Sequence, residues 1–149
     1  MLAILFVLAA LVLAMLLMLP SFSMGGVEEV PAIFKITSIT HGTKYESRVV
    51  LIHTGTVTYE NRNLMAKFYR NEQLLHCDIL TLNVHDFIST VHHGVERLEG
   101  EGGNGNTWLP TEKVALDFTD KTFHPGDLVK AEIYDATSGL IISRHSFRA

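Results

Sequence analysis

The chain has 149 residues, enough for one ordinary domain, and a formal net charge of −4. Its 12 basic side chains are scattered singly, which excludes a phosphate-binding face and nucleic acid as the main partner. The single cysteine, Cys77, excludes an intramolecular disulfide, a Cys-pair metal site and a Cys-x-x-Cys-His haem attachment.

Met1–Leu19 is apolar without exception and the first charge is Glu28, so every charged residue falls in the last 122 positions. This division predicts two parts, an apolar N-terminal helix over 1–26 and a globular domain over 27–149. Ala, Leu and Met favour helix. A helix carried to Met24 would reach about 36 Å, against roughly 30 Å of bilayer hydrocarbon. A segment that is apolar all round must be covered on every side, by lipid or by other helices. Ala3, Ala10 and Ala14 fall within about 40° on a helical wheel. Ala10 and Ala14 form a small-xxx-small pair that lets two backbones approach. With Leu2, Phe6, Val7, Leu13 and Leu17 they make up the predicted helix-packing surface. Pro20 is predicted to kink or end the helix, and Gly25-Gly26 to act as a hinge.

No Lys or Arg precedes Lys35. A cleaved secretory signal would carry a positive n-region, and an uncleaved anchor would carry basic flanks. A subunit from which a charged leader has been removed needs neither, and this reading is preferred.

From Pro31 onward the dominant period is two. The runs 31–37, 48–53, 64–69, 74–82, 84–91, 113–118, 128–134 and 140–147 read as strands. The clearest is Lys113–Phe118, with Val114, Leu116 and Phe118 on one face. Turn signals separate the runs at His41-Gly42, Thr54-Gly55, Asn61-Arg62-Asn63, Asn71-Glu72, His124-Pro125-Gly126-Asp127 and Ser138-Gly139. Seven or eight short strands without intervening helices predict an antiparallel β-sandwich, Ig-like in architecture. The fold class is therefore α+β, a long apolar helix followed by that sandwich. Gly94–Asn106, rich in Gly and Glu, reads as an exposed flexible loop. Its Gly100-x-Gly102-x-x-Gly105 lacks the following helix of a dinucleotide site, and its acids would repel a pyrophosphate.

The eight histidines fall into no ligand spacing. His92 and His93 are adjacent and would point to opposite faces of a strand. His76 and His85 lie on separate runs. Surface or core-edge positions are expected for all of them, and a small buried hydrophobe is expected for Cys77. Asp117, Asp120 and Asp127 bracket a hairpin loop, where Asp serves turn geometry. No catalytic residues, metal ligands or cofactor site are expected, and the protein reads as a non-enzyme.

Laid in order, these segments resemble an archaeal type IV pilin. Val50-Leu51-Ile52-His53-Thr54-Gly55 resembles the "HTG" segment that opens the β-domain of many such proteins. Trp108-Leu109-Pro110-Thr111-Glu112 and Phe123-His124-Pro125-Gly126-Asp127-Leu128-Val129 are similar to that family's W…G-type and "PGD.V" stretches. Ile133-Tyr134-Asp135 and Ile141-Ile142-Ser143 resemble its closing strands. Leu5 stands where bacterial type IV pilins usually carry glutamate, which favours the archaeal branch. The resemblance implies a structural subunit of an extracellular filament, serving adhesion or surface attachment. Its partners would be further copies of itself, the membrane before assembly, and pilus assembly machinery. A single-pass anchored extracytoplasmic β-sandwich that binds other molecules is the alternative. No Asn-x-Ser/Thr sequon occurs, so any glycan would be O-linked.

Overall fold

The computed structural model describes residues 2–17, 29–41, 46–77 and 79–149. Helix α1 spans Leu2–Leu17, 16 residues without a polar side chain. At 1.5 Å per residue that is about 24 Å. No helix among the described residues is long and apolar enough to cross a membrane. The predicted continuation to residue 26, with Pro20, Gly25 and Gly26, lies outside the described residues.

The strands are β1 (Phe34–Thr40), β2 (Ser47–His53), β3 (Tyr59–Glu60), β4 (Leu64–Arg70), β5 (Gln73–Leu74) and β6 (Val95–Glu99). They continue with β7 (Thr107–Trp108), β8 (Lys113–Phe118), β9 (Leu128–Asp135) and β10 (Ile141–Arg148). A one-turn 3-10 helix covers Asn61–Asn63, and the four-residue helix α2 covers Glu101–Asn104. One sheet runs β1-β2-β8-β6, a second β10-β9-β4-β5, and β3 and β7 form a small ribbon. All these strand pairs are antiparallel. The two larger sheets enclose one core, and the predicted β-sandwich is the observed architecture.

Alternation drives this arrangement. Val49, Leu51 and His53 of β2 point inward with Val114, Leu116 and Phe118 of β8, and opposite them lie Leu64, Ala66 and Phe68 with Val129, Ala131 and Ile133. Phe68 meets Phe118 edge-on across the core at 4.9 Å, and Phe118 meets Phe123 at 5.0 Å. On the outer face, Arg48 bonds Asp117 at 2.8 Å and Glu99 at 3.0 Å, tying β2, β8 and β6 together.

The outer face of the second sheet holds an unusual carboxylate. Glu132 is buried there beneath Tyr69, Tyr134 and Arg144, all three of which donate hydrogen bonds to it, Arg144 Nε at 2.9 Å. Burial raises the acid's pKa, but the bonds from Tyr134, Arg144 and Tyr69 outweigh it and hold the carboxyl below its ordinary value.

The outer edges of β1 and β10 meet and close one side of the sandwich. The Ser143 hydroxyl, fully buried, accepts from Ile33 N–H at 3.0 Å and Phe34 N–H at 2.9 Å. His145 Nδ1 accepts from Ile36 N–H at 3.0 Å, and Arg144 N–H donates to the Pro31 carbonyl. Because positions 33–36 meet 143–145 in ascending order, β1 and β10 run in the same direction here. Side chains supply the acceptors that a regular ladder would take from backbone. Both strands also carry a register irregularity, at Ile36/Ser38 and at Ile141/Ser143.

Two expectations fail. The runs 74–82 and 84–91 do not form full strands: among the described residues past β5 there is one bridge, Ile79 to Ala66, before β6, and the chain then turns repeatedly. Side-chain amides replace a ladder there. Asn83 Oδ1 accepts from His85 N–H at 2.9 Å and Asp86 N–H at 3.2 Å, while its Nδ2 donates to Asn61 Oδ1 at 2.8 Å. The segment Gly94–Asn106 is not a flexible solvated loop either. It contains β6 and α2, and Gly102 and Gly103 are buried. Asn61 Nδ2 holds it by donating to the carbonyls of Gly102 and Gly105, both at 2.8 Å.

Candidate assembly helix and the end of the sandwich it joins

All eight predicted packing residues, Leu2, Ala3, Phe6, Val7, Ala10, Leu13, Ala14 and Leu17, lie in α1. The side chains of Phe6, Val7, Ala10, Leu13 and Ala14 are exposed, as are Ile4 before them and Leu8, Leu11 and Val12 between them. Exposure on successive residues surrounds the helix axis, so this stretch has no side already covered by the sandwich.

The chain enters the sandwich at the end where β1 begins. Register places the end of β2, the start of β8, the end of β9 and the starts of β4 and β10 at that same end. The segment resembling "HTG" forms its hub. Buried His53 has Nε2 at 2.6 Å from the Val57 carbonyl, so Nε2 carries the proton and donates. Nδ1 then accepts from Gly55 N–H at 3.0 Å. Thr54 binds the Ile33 carbonyl through both its N–H and its hydroxyl, each at 2.8 Å. A Cβ on Gly55 would come within 3.0 Å of both the His53 ring and Ile33, so the tight turn suits glycine.

Trp108 completes the hub. It is fully buried, donates from Nε1 to the Glu112 carbonyl at 2.9 Å, and lies 4.3 Å from the Phe34 ring. Phe34 also contacts His53 at 4.9 Å and Tyr59 at 5.3 Å. This aromatic cluster fixes the loops that follow β2 and β7. Beside it, Glu29, Val30, Pro31, Ile33, Tyr59, Ile141 and Ile142 line an open groove of about 460 Å³.

The third resembling stretch sits at the far end. Gly126 takes a φ of +86°, a left-handed conformation that favours glycine. Asp127 Oδ2 accepts from His124 N–H at 2.8 Å, and its Oδ1 accepts from Asn71 Nδ2 at 2.9 Å. Burial raises the Asp127 pKa, but the bonds from His124 and Asn71 hold it below its usual value. The Asp127 carbonyl accepts from Ala149 N–H, so this turn secures the chain's last residue. The resembling segments thus build turns and a core.

Two histidines depart from the expected surface or core-edge positions: His53 and His92 are buried. Cys77 is buried as expected, but it lies beyond β5 and outside any strand. Among the described residues, no three His, Cys, Asp or Glu side chains gather into a possible metal site. The sequence reading missed the Ser143 bridge, the Asn61–Asn83 pair and the buried Glu132, all of which depend on residues distant in sequence.

No protein-family model matches the sequence, and no curated protein matches it. Among solved structures, the archaellum periplasmic stator protein complex FlaF and FlaG from Sulfolobus acidocaldarius is similar at 14% identity and a TM-score of 0.49, covering 87% of this chain and 99% of that one. The archaellum periplasmic stator protein FlaG from the same organism is similar at 14% identity and a TM-score of 0.46, covering 78% of this chain and 97% of that one.

Proposed function

We propose that the protein is an extracytoplasmic structural component of an archaeal type IV pilus-like surface filament, polymerising through α1 with the sandwich displayed outward. The helix carries this reading: it has 16 apolar residues in succession, and the described side chains from Phe6 to Ala14 are all exposed. Removing a Leu or Phe side chain from water contributes about 1.5–3 kcal/mol, so such a helix partitions into lipid or a helix bundle. Transfer between those two apolar surroundings gains little, so close packing along the Ala3, Ala10 and Ala14 stripe would select its neighbours. The helix would rest in the cytoplasmic membrane until assembly machinery moves it into the filament. On this reading the protein is not an enzyme and takes no cofactor.

The competing reading is an anchored sandwich that binds another envelope protein without polymerising. A stator-like role, for which the FlaF and FlaG structures are named, is one form of it. Negative-stain microscopy of sheared surface filaments, with mass spectrometry of their subunits, separates the two. Recovery of the chain in filaments supports the proposal, and recovery only from detergent-extracted membrane sinks it. Ala10→Phe or Ala14→Phe should abolish filaments while urea unfolding of the sandwich stays unchanged. Normal filaments from both variants would remove the helix-packing argument.

A further inference from the structure

The end of the sandwich where the chain enters carries three aliphatic side chains at the tips of separate loops. Val57 is 59% exposed after β2, Leu109 44% exposed after β7, and Leu140 67% exposed between β9 and β10. The loops meet around the entering chain. Thr54 N–H binds the Ile33 carbonyl, Thr111 N–H binds the His53 carbonyl, and Arg144 N–H binds the Pro31 carbonyl. Ile141 and Ile142 border the groove formed with Val30 and Pro31.

The tips share a composition. Gly55–Thr58, Leu109–Thr111 and Ala136–Leu140 contain no charged residue. Of the acids at this end, Glu29 lines the groove beside Ile141 and Ile142, while those that flank the tips in sequence bond within their own loops. Glu112 Oε2 accepts from Leu109 N–H at 2.9 Å, Asp135 accepts from Thr137 N–H at 3.0 Å and Ser138 Oγ at 2.9 Å, and Glu60 accepts from Asn63 at 2.8 Å. The tips are also held in place, because His53 Nε2–H is bonded to the Val57 carbonyl and the indole of Trp108 to the Glu112 carbonyl.

Covalent length limits what these tips can meet. Eleven residues, 18 to 28, join Leu17 to Glu29. Fully extended they reach at most roughly 40 Å. A sandwich tethered that closely to a lipid-embedded helix has its β1-entry end within reach of the bilayer surface.

We infer that Val57, Leu109 and Leu140 form a lipid-contacting rim, through which the sandwich rests on the bilayer by aliphatic insertion between zwitterionic headgroups. This rests on the proposal that α1 is stored in a membrane, and extends it to residues of the sandwich itself. Before assembly, the rim would hold the domain upright on the surface and fix which edge meets an incoming subunit.

The test uses the full chain reconstituted into phosphatidylcholine vesicles with or without brominated acyl chains. Trp108 is the single tryptophan and is fully buried, so it gives a constant background. Trp is introduced separately at Val57, Leu109 and Leu140, and at Leu74 as a control. Leu74 is 52% exposed in the β4–β5 hairpin at the opposite end. Vesicle flotation and urea unfolding establish that each variant is inserted and folded.

Brominated lipid should quench at least half of the added emission in V57W, L109W and L140W, and none in L74W. If the rim variants float but are quenched no more than L74W, the inference is overturned and the anchored helix stands. If the chain does not float with vesicles, the proposal that α1 is stored in membrane falls, and the rim with it. If L140W is unquenched but its emission shifts blue as protein is crowded on the vesicle, the rim covers a second copy and the lipid assignment is overturned.

Discussion

Replacing Gly102 by alanine tests whether the glycine-rich segment is structural. A methyl group there would stand 2.3 Å from Trp108 Cδ1, 2.4 Å from Nε1 and 2.8 Å from Cγ. Carbon atoms rest about 3.5–4.0 Å apart, so either the ring or the segment must retreat by about 1 Å. Neither is free to do so. The indole is fully buried and bonded to the Glu112 carbonyl, while the Gly102 carbonyl accepts from Asn61 Nδ2 at 2.8 Å. Overpacking of this kind costs about 1–3 kcal/mol, and loss of the indole hydrogen bond adds about 1. The expected total is about 2–4 kcal/mol, a large share of the roughly 5–15 kcal/mol that holds a domain folded. Urea unfolding of the full chain in detergent, followed by Trp108 emission, should show a lower midpoint at unchanged slope. The native emission should shift as well. A loss below about 0.5 kcal/mol with unchanged native emission would refute the packing described for this segment.

Ser143→Ala leaves the half-buried N–H of Ile33 and the buried N–H of Phe34 without their acceptor and should cost about 2 kcal/mol in the same assay. His145 has its pKa lowered from 6.5 by burial and by Lys35, so the unfolded chain takes up this proton more readily. Its contribution is complete above about pH 6.5 and is lost as pH falls toward the folded pKa. The thermal midpoint should drop across that window, and less steeply in His145→Gln; identical pH profiles would dismiss the effect. Glu132→Gln should lose about 1–3 kcal/mol at pH 7, where the carboxylate is ionised and bonded to Tyr134, Arg144 and Tyr69. Its carboxyl is held low, so this advantage exists above the ordinary carboxylate range and fades as pH falls through it. A difference from wild type that stays constant down to pH 3 would contradict that account.

The strands that were legible in the sequence are those whose partners bury one whole face. Alternation along β2, β8 and β9 carries its own reason, since Leu51, Leu116 and Ile133 all enter the core. The stretch after β5 has comparable apolar content, but its backbone is satisfied by Asn61 and Asn83, and no periodicity records a side-chain amide 22 residues away. Gly94–Asn106 misled for a related reason. Glycine signals freedom locally, whereas Gly102 lies against an indole and Gly103 beside the Leu82 carbonyl. For the candidate site, the all-apolar composition of α1 was evident from its residues alone. The rim was not, because Val57, Leu109 and Leu140 are single aliphatic residues in polar turns, and only the fold brings them to one end.

The shared direction of β1 and β10 determines how the protein bears load. Tension on the N-terminal tether reaches the sandwich at residue 29 and runs along the axis of β1. The bonds between β1 and β2 lie across that axis, from the Phe34–His53 pair to the Thr40–Arg48 pair. A pull on the tether therefore loads the whole ladder in shear, together with the Ser143 and His145 bonds to β10. A hairpin pulled open from one end would surrender its bonds singly. Here they must slide past one another together, so the grip of the first strand makes the domain stiff toward a pull along its N-terminal segment.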